Sequence, residues 1–261
     1  MRPGAHPLLV AFAAGLAGIL IGPTLIVTVM SFSAARLLSF PPRGLSLHWY
    51  ANFLGDDTWV RAIMNSVQVG VGAACLATVV GSLMAFGIVR GRYPGRAAVN
   101  ALVLGPMLVP SVVLSIGLYF MFVRLKLVGS LPGLVIAHAC LGLPYVVLVV
   151  SSGLRTLDPS LERAASGLGA GPLRTFFRVT LPLTLPSAAA GALFAFITSW
   201  DDVIVAFFLS SPVTRTLPVV MWGATQDTTD PTLAAVATFL SLVTTLLFVV
   251  FLFIRRRDPT F

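Results

Sequence analysis

Charge is the scarcest property of this chain. Of its 261 residues only 10% are Asp, Glu, Lys or Arg, while 57% are apolar. Soluble domains carry about a quarter of their residues charged, so a water-soluble fold is excluded, and no soluble second domain has room to exist. Cysteine is nearly missing. Cys75 and Cys140 stand alone inside apolar runs, without the paired spacing of a disulfide framework or a metal site, and read as small buried hydrophobes. Lysine occurs once, at position 126, against sixteen arginines. No Gly-x-x-x-x-Gly-Lys-Ser/Thr run is present, so the chain has no phosphate-binding loop and is expected to hydrolyse no ATP. A membrane-embedded hydrolase would need a His or Ser/Lys constellation that the sequence does not display.

What is present is a series of apolar runs, each long enough to cross about 30 Å of hydrocarbon as a helix. They lie at roughly 8–32, 63–89, 98–122, 133–153, 184–209 and 232–254. The expected fold is therefore all-α: one polytopic membrane domain, 1–261, with six transmembrane helices. The first run is longer than a signal-peptide core and has no convincing cleavage site, so it reads as a retained helix. Six spans put both termini on one side. The face with the termini would hold Arg2, Arg90, Arg92, Arg96, Arg155, Arg163, Arg174, Arg178, Arg255, Arg256 and Arg257. The other would hold Arg36, Arg43, Arg61, Arg124, Lys126 and Arg215. Eleven basic residues against six place the termini in the cytoplasm. A net charge of +8 spread over such loops speaks for this topology, not for nucleic acid.

The spans differ in texture. The second is rich in Gly and Ala (Gly70, Gly72, Ala73, Ala74, Ala77, Gly81, Ala85, Gly87), which lets backbones approach and places it inside the bundle. Pro106 and Pro110 in the third, and Pro144 in the fourth, each remove a helix hydrogen bond and bend the helix unless neighbours compensate, serving either packing or a transport pathway. His138 in the fourth is expected to make an interhelical hydrogen bond rather than relay protons. The first outer loop, about 33–60, carries Trp49, Tyr50 and Trp59, suited to the membrane–water boundary. Asp227 and Asp230 read as solvated loop charges.

One stretch between apolar runs is not membrane-spanning: Asp158 to Pro182. Asp158 can N-cap a helix with Pro159 at its first position. Leu161, Ala164, Ala165 and Leu168 share one face, and Gly169 stands where a left-handed C-cap residue belongs. Gly171-Pro172 starts a second helix with Leu173, Phe176, Phe177 and Thr180 on a face, and Leu181-Pro182 ends it. On pattern alone the pair could lie on lipid headgroups. The spacing Ala164-Ala165, Gly169, Val179, Leu181-Pro182 resembles the EAA loop of ATP-binding-cassette importer permeases. The residues from Leu47 through Asn65-Ser66, and His138 with Leu143-Pro144-Tyr145, are similar to the same family. The resemblance implies a type I importer permease (MetI-like) fold in which 158–182 is the coupling loop that docks on a cytoplasmic ATPase. Glu162, Arg163, Ala164, Ala165, Gly169, Phe176, Leu181 and Pro182 are the coupling residues it implies. One departure stands out: the family's Glu directly before Ala-Ala is Arg163 here, with Glu162 one place earlier.

The fifth span holds Ser199-Trp200-Asp201-Asp202 in an apolar run. Two carboxylates there cost several kcal/mol unless they meet water, a cation or a donor. Adjacent helical residues point about 100° apart, so one of the pair could line a water-filled path while the other caps a helix break or pairs with a neighbour. Ser199–Phe208, Thr214-Arg215-Thr216-Leu217-Pro218 and Pro231-Thr232 with Ala234-Ala235 resemble the polyamine (spermidine/putrescine) branch of these permeases. That likeness implies a non-catalytic subunit in a bacterial inner membrane, with Trp200, Asp201 and Asp202 on the path of a small cationic solute. It implies a second, related permease chain, two ATPase subunits and an extracytoplasmic solute-binding protein as partners. ATP and Mg would sit in the ATPase, and this chain would bind no cofactor and no metal. The competing expectation is an ion-coupled secondary carrier or channel using Asp201 and Asp202, which would have no need of a docking loop.

Overall fold

The computed structural model describes residues 7–35, 39–227 and 231–257. Arg2, Arg36 and Asp230 lie outside it, as do the side chains of Asp227, Arg255, Arg256 and Arg257. In chain order the helices are α1 (Pro7–Met30), α2 (His48–Gly55), α3 (Asp57–Arg90), α4 (Arg96–Leu108), α5 (Ser111–Leu125), α6 (Leu131–Thr156), α7 (Pro159–Gly167) and α8 (Pro172–Thr175). A π turn, Phe176–Thr180, leads into α9 (Leu181–Trp200), followed by α10 (Ile204–Leu209), α11 (Leu217–Asp227) and α12 (Thr232–Arg257). The described residues form no strand; one isolated antiparallel bridge joins Ser33 and Leu45.

Among the described residues five helical stretches are long and apolar enough to cross a membrane, and a sixth crossing results if α4 and α5 together make one. The expected third span is thus not one kinked helix but two, forming either a broken crossing or a re-entrant loop. The chain bends by 108° between these two halves, and at about 1.5 Å per residue neither reaches across the hydrocarbon alone. The break falls at Pro110, the residue before α5, whose ring holds Val109 extended at φ −84°, ψ 132°. Pro106, one turn earlier, stays inside α4. Pro144 does not break α6 either: it is buried within a continuous helix of 26 residues, where neighbouring helices hold the ladder together.

Contacts within the chain gather into two units. The smaller comprises Met1–Val60 and Met221–Thr245. There Trp49 donates its indole N–H to the Ser33 carbonyl at 2.8 Å, and Tyr50 pairs its hydroxyl with that of Ser31 at 2.6 Å. Phe53 is buried edge-on against Trp59 and Phe239, with ring centres 5.9 and 5.5 Å apart. The aromatics of the stretch 49–59 therefore pin α2 by their polar tips and ring edges. Most side chains of α1 stay uncovered within the chain.

The larger unit comprises Arg61–Val220 and Leu246–Phe261. Its core is assembled from small residues. On α3 the buried stripe runs Ala62, Ser66, Val69, Gly70, Ala73, Ala74, Ala77, Gly81, Ala85, Ile88, a helical period with few large side chains, so this helix does sit inside. In lipid no hydrophobic force pulls helices together, and close van der Waals contact must do it. The most extensive packing joins α6 to α9. A Cβ on Gly142 of α6 would lie 2.7 Å from Ala195 Cβ and 3.1 Å from its Cα on α9. Gly142→Val forces the two backbones apart, and such overpacking costs about 1–3 kcal/mol. The expected outcome is a melting temperature several degrees lower for the purified protein, read by thermal unfolding in detergent; an unchanged melting point would show that α6 and α9 do not need this contact.

Candidate functional site

The 158–182 loop folds as its residues direct. Asp158 caps α7, its carboxylate accepting the Ser160 N–H at 2.8 Å, and that donor holds the Asp158 carboxyl below its usual range. Pro159 takes the first helical position. At the other end Gly169 has φ +85°. Ala170 N–H reaches the Ala165 carbonyl and Gly169 N–H that of Ser166, both at 3.0 Å. This 6→1 and 5→2 pair is a Schellman motif with Gly169 at its left-handed residue.

The second half departs from expectation. Leu181-Pro182 does not end the helix; the chain continues through the π turn into α9. Leu181 N–H bonds the Phe176 carbonyl, five residues back, so the ladder is already rephased where Pro182 withholds its own donor. The rephasing also splits the expected face. Thr180 is buried and Phe176 half-buried, its ring 5.1 Å from Phe86. Leu173 and Phe177 are 75% and 60% exposed. Leu161 and Leu168, at 45% and 91%, leave a second uncovered apolar edge beside exposed Ala164 and half-buried Ala165. The two neighbouring charges part company. Arg163 is exposed, whereas Glu162 turns inward, accepting from Arg90 Nε at 3.2 Å and from the Thr180 hydroxyl at 3.0 Å.

The fifth span is interrupted at the acidic pair. Helix α9 stops at Trp200, whose ring is buried and stacked on Phe196 at 5.7 Å, and α10 begins at Ile204. Asp202 caps this restart: its Oδ2 accepts the Ala206 N–H at 2.9 Å, the third residue of α10, where an orphan donor waits. The same oxygen lies 3.8 Å from His138 Nε2. His138, fully buried on α6, meets the Ser199 hydroxyl through Nδ1 at 2.7 Å, which is the interhelical bond expected of it. Asp201, by contrast, is exposed. Of the two carboxylates, Asp202 is committed to the helix restart and Asp201 is open.

Ser199, His138 and Asp202 do assemble the residue types of a nucleophilic triad, which the sequence alone does not reveal, since 61 positions separate His138 from Ser199. Ser199 is 4% and His138 0% exposed, so no acyl substrate reaches the hydroxyl, and the cluster is a cross-helix tie.

Other anchoring residues escape sequence reasoning. Asn65 donates to the carbonyls of Val213 and Arg215 at 2.9 and 3.0 Å, and the Ser66 hydroxyl accepts the Leu217 N–H at 2.8 Å. They clamp the segment 213–217 onto the start of α3. Arg90 reaches both Glu162 and the Leu157 carbonyl, at 3.2 Å each. The one available signal was that Asn65-Ser66 interrupts an apolar run.

Among the described residues no group of three or more His, Cys, Asp or Glu gathers as a metal site. Known proteins resemble the chain over most of its length. Residues 77–259 match the family model described as binding-protein-dependent transport system inner membrane component. The putrescine transport system permease protein PotI of Escherichia coli (strain K12) is 34% identical over 85% of this chain and 81% of its own. The spermidine/putrescine transport system permease protein PotC of Haemophilus influenzae is 32% identical over 90% and 91%. Among solved structures, a bacterial ABC transporter involved in the import of the acidic polysaccharide alginate covers 98% of this chain and 99% of its own at a TM-score of 0.73. At 18% identity that likeness speaks for the fold alone. The importer expectation, and not the secondary carrier, is the one these relatives bear out. The chain belongs to the binding-protein-dependent transport system inner membrane component family and is a permease subunit of an ATP-binding-cassette importer.

Proposed function

We propose that this permease forms half of the translocation pathway for a small cationic solute of the polyamine class. The observation that carries the reading is Asp201, an exposed carboxylate at the interruption of a membrane helix. It is supported by relatives named for putrescine and spermidine transport at 32–34% identity. A carboxylate in such a place is stabilised by a cation or water, and a protonated amine supplies both charge and N–H donors.

The rest of the assembly follows from the same reading. A second, related permease chain completes the pathway. An extracytoplasmic binding protein delivers the solute, and two ATPase subunits grip the 158–182 knob through Leu161, Leu168, Leu173 and Phe177. ATP and Mg belong to those subunits. The excess of arginine on the knob's side supports a cytoplasmic position, in a bacterium, for that side and for both termini. Closure of the ATPase dimer on ATP draws the two knobs together and tilts the packed helices to open the path outward; hydrolysis reverses the tilt.

The test is reconstitution of the chain with its co-encoded permease, ATPase and binding protein in proteoliposomes. Labelled spermidine or putrescine should accumulate only with ATP on the knob side and binding protein on the opposite side. Accumulation by the chain alone, without nucleotide, would overturn the reading.

A further inference from the structure

Glu162 turns inward, and one of its carboxylate oxygens, Oε1, is engaged inside the permease. Arg90 closes α3, a position where a cation also complements the helix dipole. Its guanidinium spans the Leu157 carbonyl at the end of α6 and Glu162 on α7. The same Glu162 oxygen accepts from Thr180 in the π turn. Four elements thus meet at one half-buried ion pair, with side chains 19% and 21% exposed. The edge-on contact of Phe86 with Phe176 backs it on the apolar side.

The other end of α3 is equally tied. Asn65 and Ser66 hold the 213–217 segment, and the 24 residues from Ser66 to Arg90 span about 36 Å, a full hydrocarbon thickness. Between the two ties the helix lies against its neighbours through close contacts: a Cβ on Gly81 would come within 2.8 Å of Val146 on α6, and one on Gly70 within 2.9 Å of Phe196 on α9. A displacement applied to the knob therefore has a stiff route to the opposite side of the membrane, provided the knob is fastened to α3.

We propose that the Arg90–Glu162 pair is that fastening: a clasp that makes the knob and α3 move as one body, with α3 as the rod that carries the motion to the 213–217 segment. The inference rests on the reading of the knob as the ATPase docking element. It explains why the glutamate stands one place before its familiar position. There it faces Arg90 and Thr180, and Arg163 is left to face outward. Arg90 and Glu162 are positioning residues; neither touches solute or nucleotide.

The experiment is a double-mutant cycle on the assembled transporter, with Arg90→Gln, Glu162→Gln and both together, reading solute imported per ATP hydrolysed. Arg90→Gln lies outside the knob, so ATPase association and basal hydrolysis should persist. The import-to-hydrolysis ratio should fall about tenfold, within the usual span of coupling energies. Glu162→Gln should lower the ratio to the same degree, the double variant should be no worse than either single one, and Arg90→Lys should regain part of the loss. Strictly additive losses, or a full ratio in Arg90→Gln, would overturn the clasp and leave the docking reading standing. Loss of ATPase association in Glu162→Gln alone would make that residue a docking contact and overturn the clasp as well. If the unmodified chain binds no ATPase, the reading beneath it fails first, and the clasp with it.

Discussion

Gly169→Ile should reduce ATP-driven uptake by at least about tenfold, while Gly169→Asn should leave most of it. The position has φ +85° and open space around it, so the effect comes from the backbone and not from a clash. A β-branched residue in the left-handed region costs on the order of 1–2 kcal/mol or more, whereas Asn enters that region readily. The strain cannot be absorbed by packing, because much of the knob is exposed. It is relieved by unwinding the Schellman motif, which releases the Ala165 and Ser166 carbonyls and moves the Pro172 helix out of register with α7. Uptake in proteoliposomes, together with retention of the ATPase on purification, reads both consequences. If the isoleucine variant imports normally with its ATPase bound, the knob's geometry has no bearing on coupling.

The second large effect separates the adjacent carboxylates. Asp201→Asn should lower uptake efficiency for a diamine or polyamine by roughly 10–100-fold, the loss of one charge-assisted hydrogen bond of about 1.5–3 kcal/mol, with the complex assembled and its melting temperature unchanged. Asp202→Asn should be mild, since the amide oxygen can still accept the Ala206 N–H. Asp202→Ala removes the cap and should cost about 0.5–2 kcal/mol of stability, visible as a lower melting temperature before any specific change in solute affinity. Normal polyamine uptake by Asp201→Asn would remove the ground for a cationic solute. The fold gives no independent guide to that charge: the alginate importer shares it while carrying an acidic polysaccharide.

The clasp belongs to the same chain of cause. A docked ATPase can move only what the knob is attached to. Gly169 shapes the knob, Arg90 and Glu162 fasten it to α3, and Asn65 and Ser66 fasten α3 to the segment after the acidic break.

Local rules were enough to read where most of the long apolar helices lie, the interior placement of α3, the Asp158 cap and the Gly169 turn. Each depends on residues within a few positions of one another, where periodicity and φ preference decide the outcome. Proline was less legible. Pro110 breaks an expected span, Pro144 does not, and Pro182 sits in a helix that was expected to stop there, because the outcome depends on what neighbours supply for the missing N–H. The acidic pair was legible as an anomaly but not as a division of labour. That division required the Ala206 N–H and His138 to arrive beside Asp202, leaving Asp201 exposed.

Residue order alone gives an all-α membrane chain with a series of apolar helices, a capped knob between two of them and two acids in an apolar run, because hydropathy and cap chemistry act over short distances. The tertiary structure alone decided that Glu162 faces Arg90 instead of solvent, that His138 bonds Ser199, and that Asn65 and Ser66 hold residues about 150 positions away. Those pairings form only when α3, α6 and α9 close on their small residues, and no local pattern encodes which distant partner a polar side chain will find there.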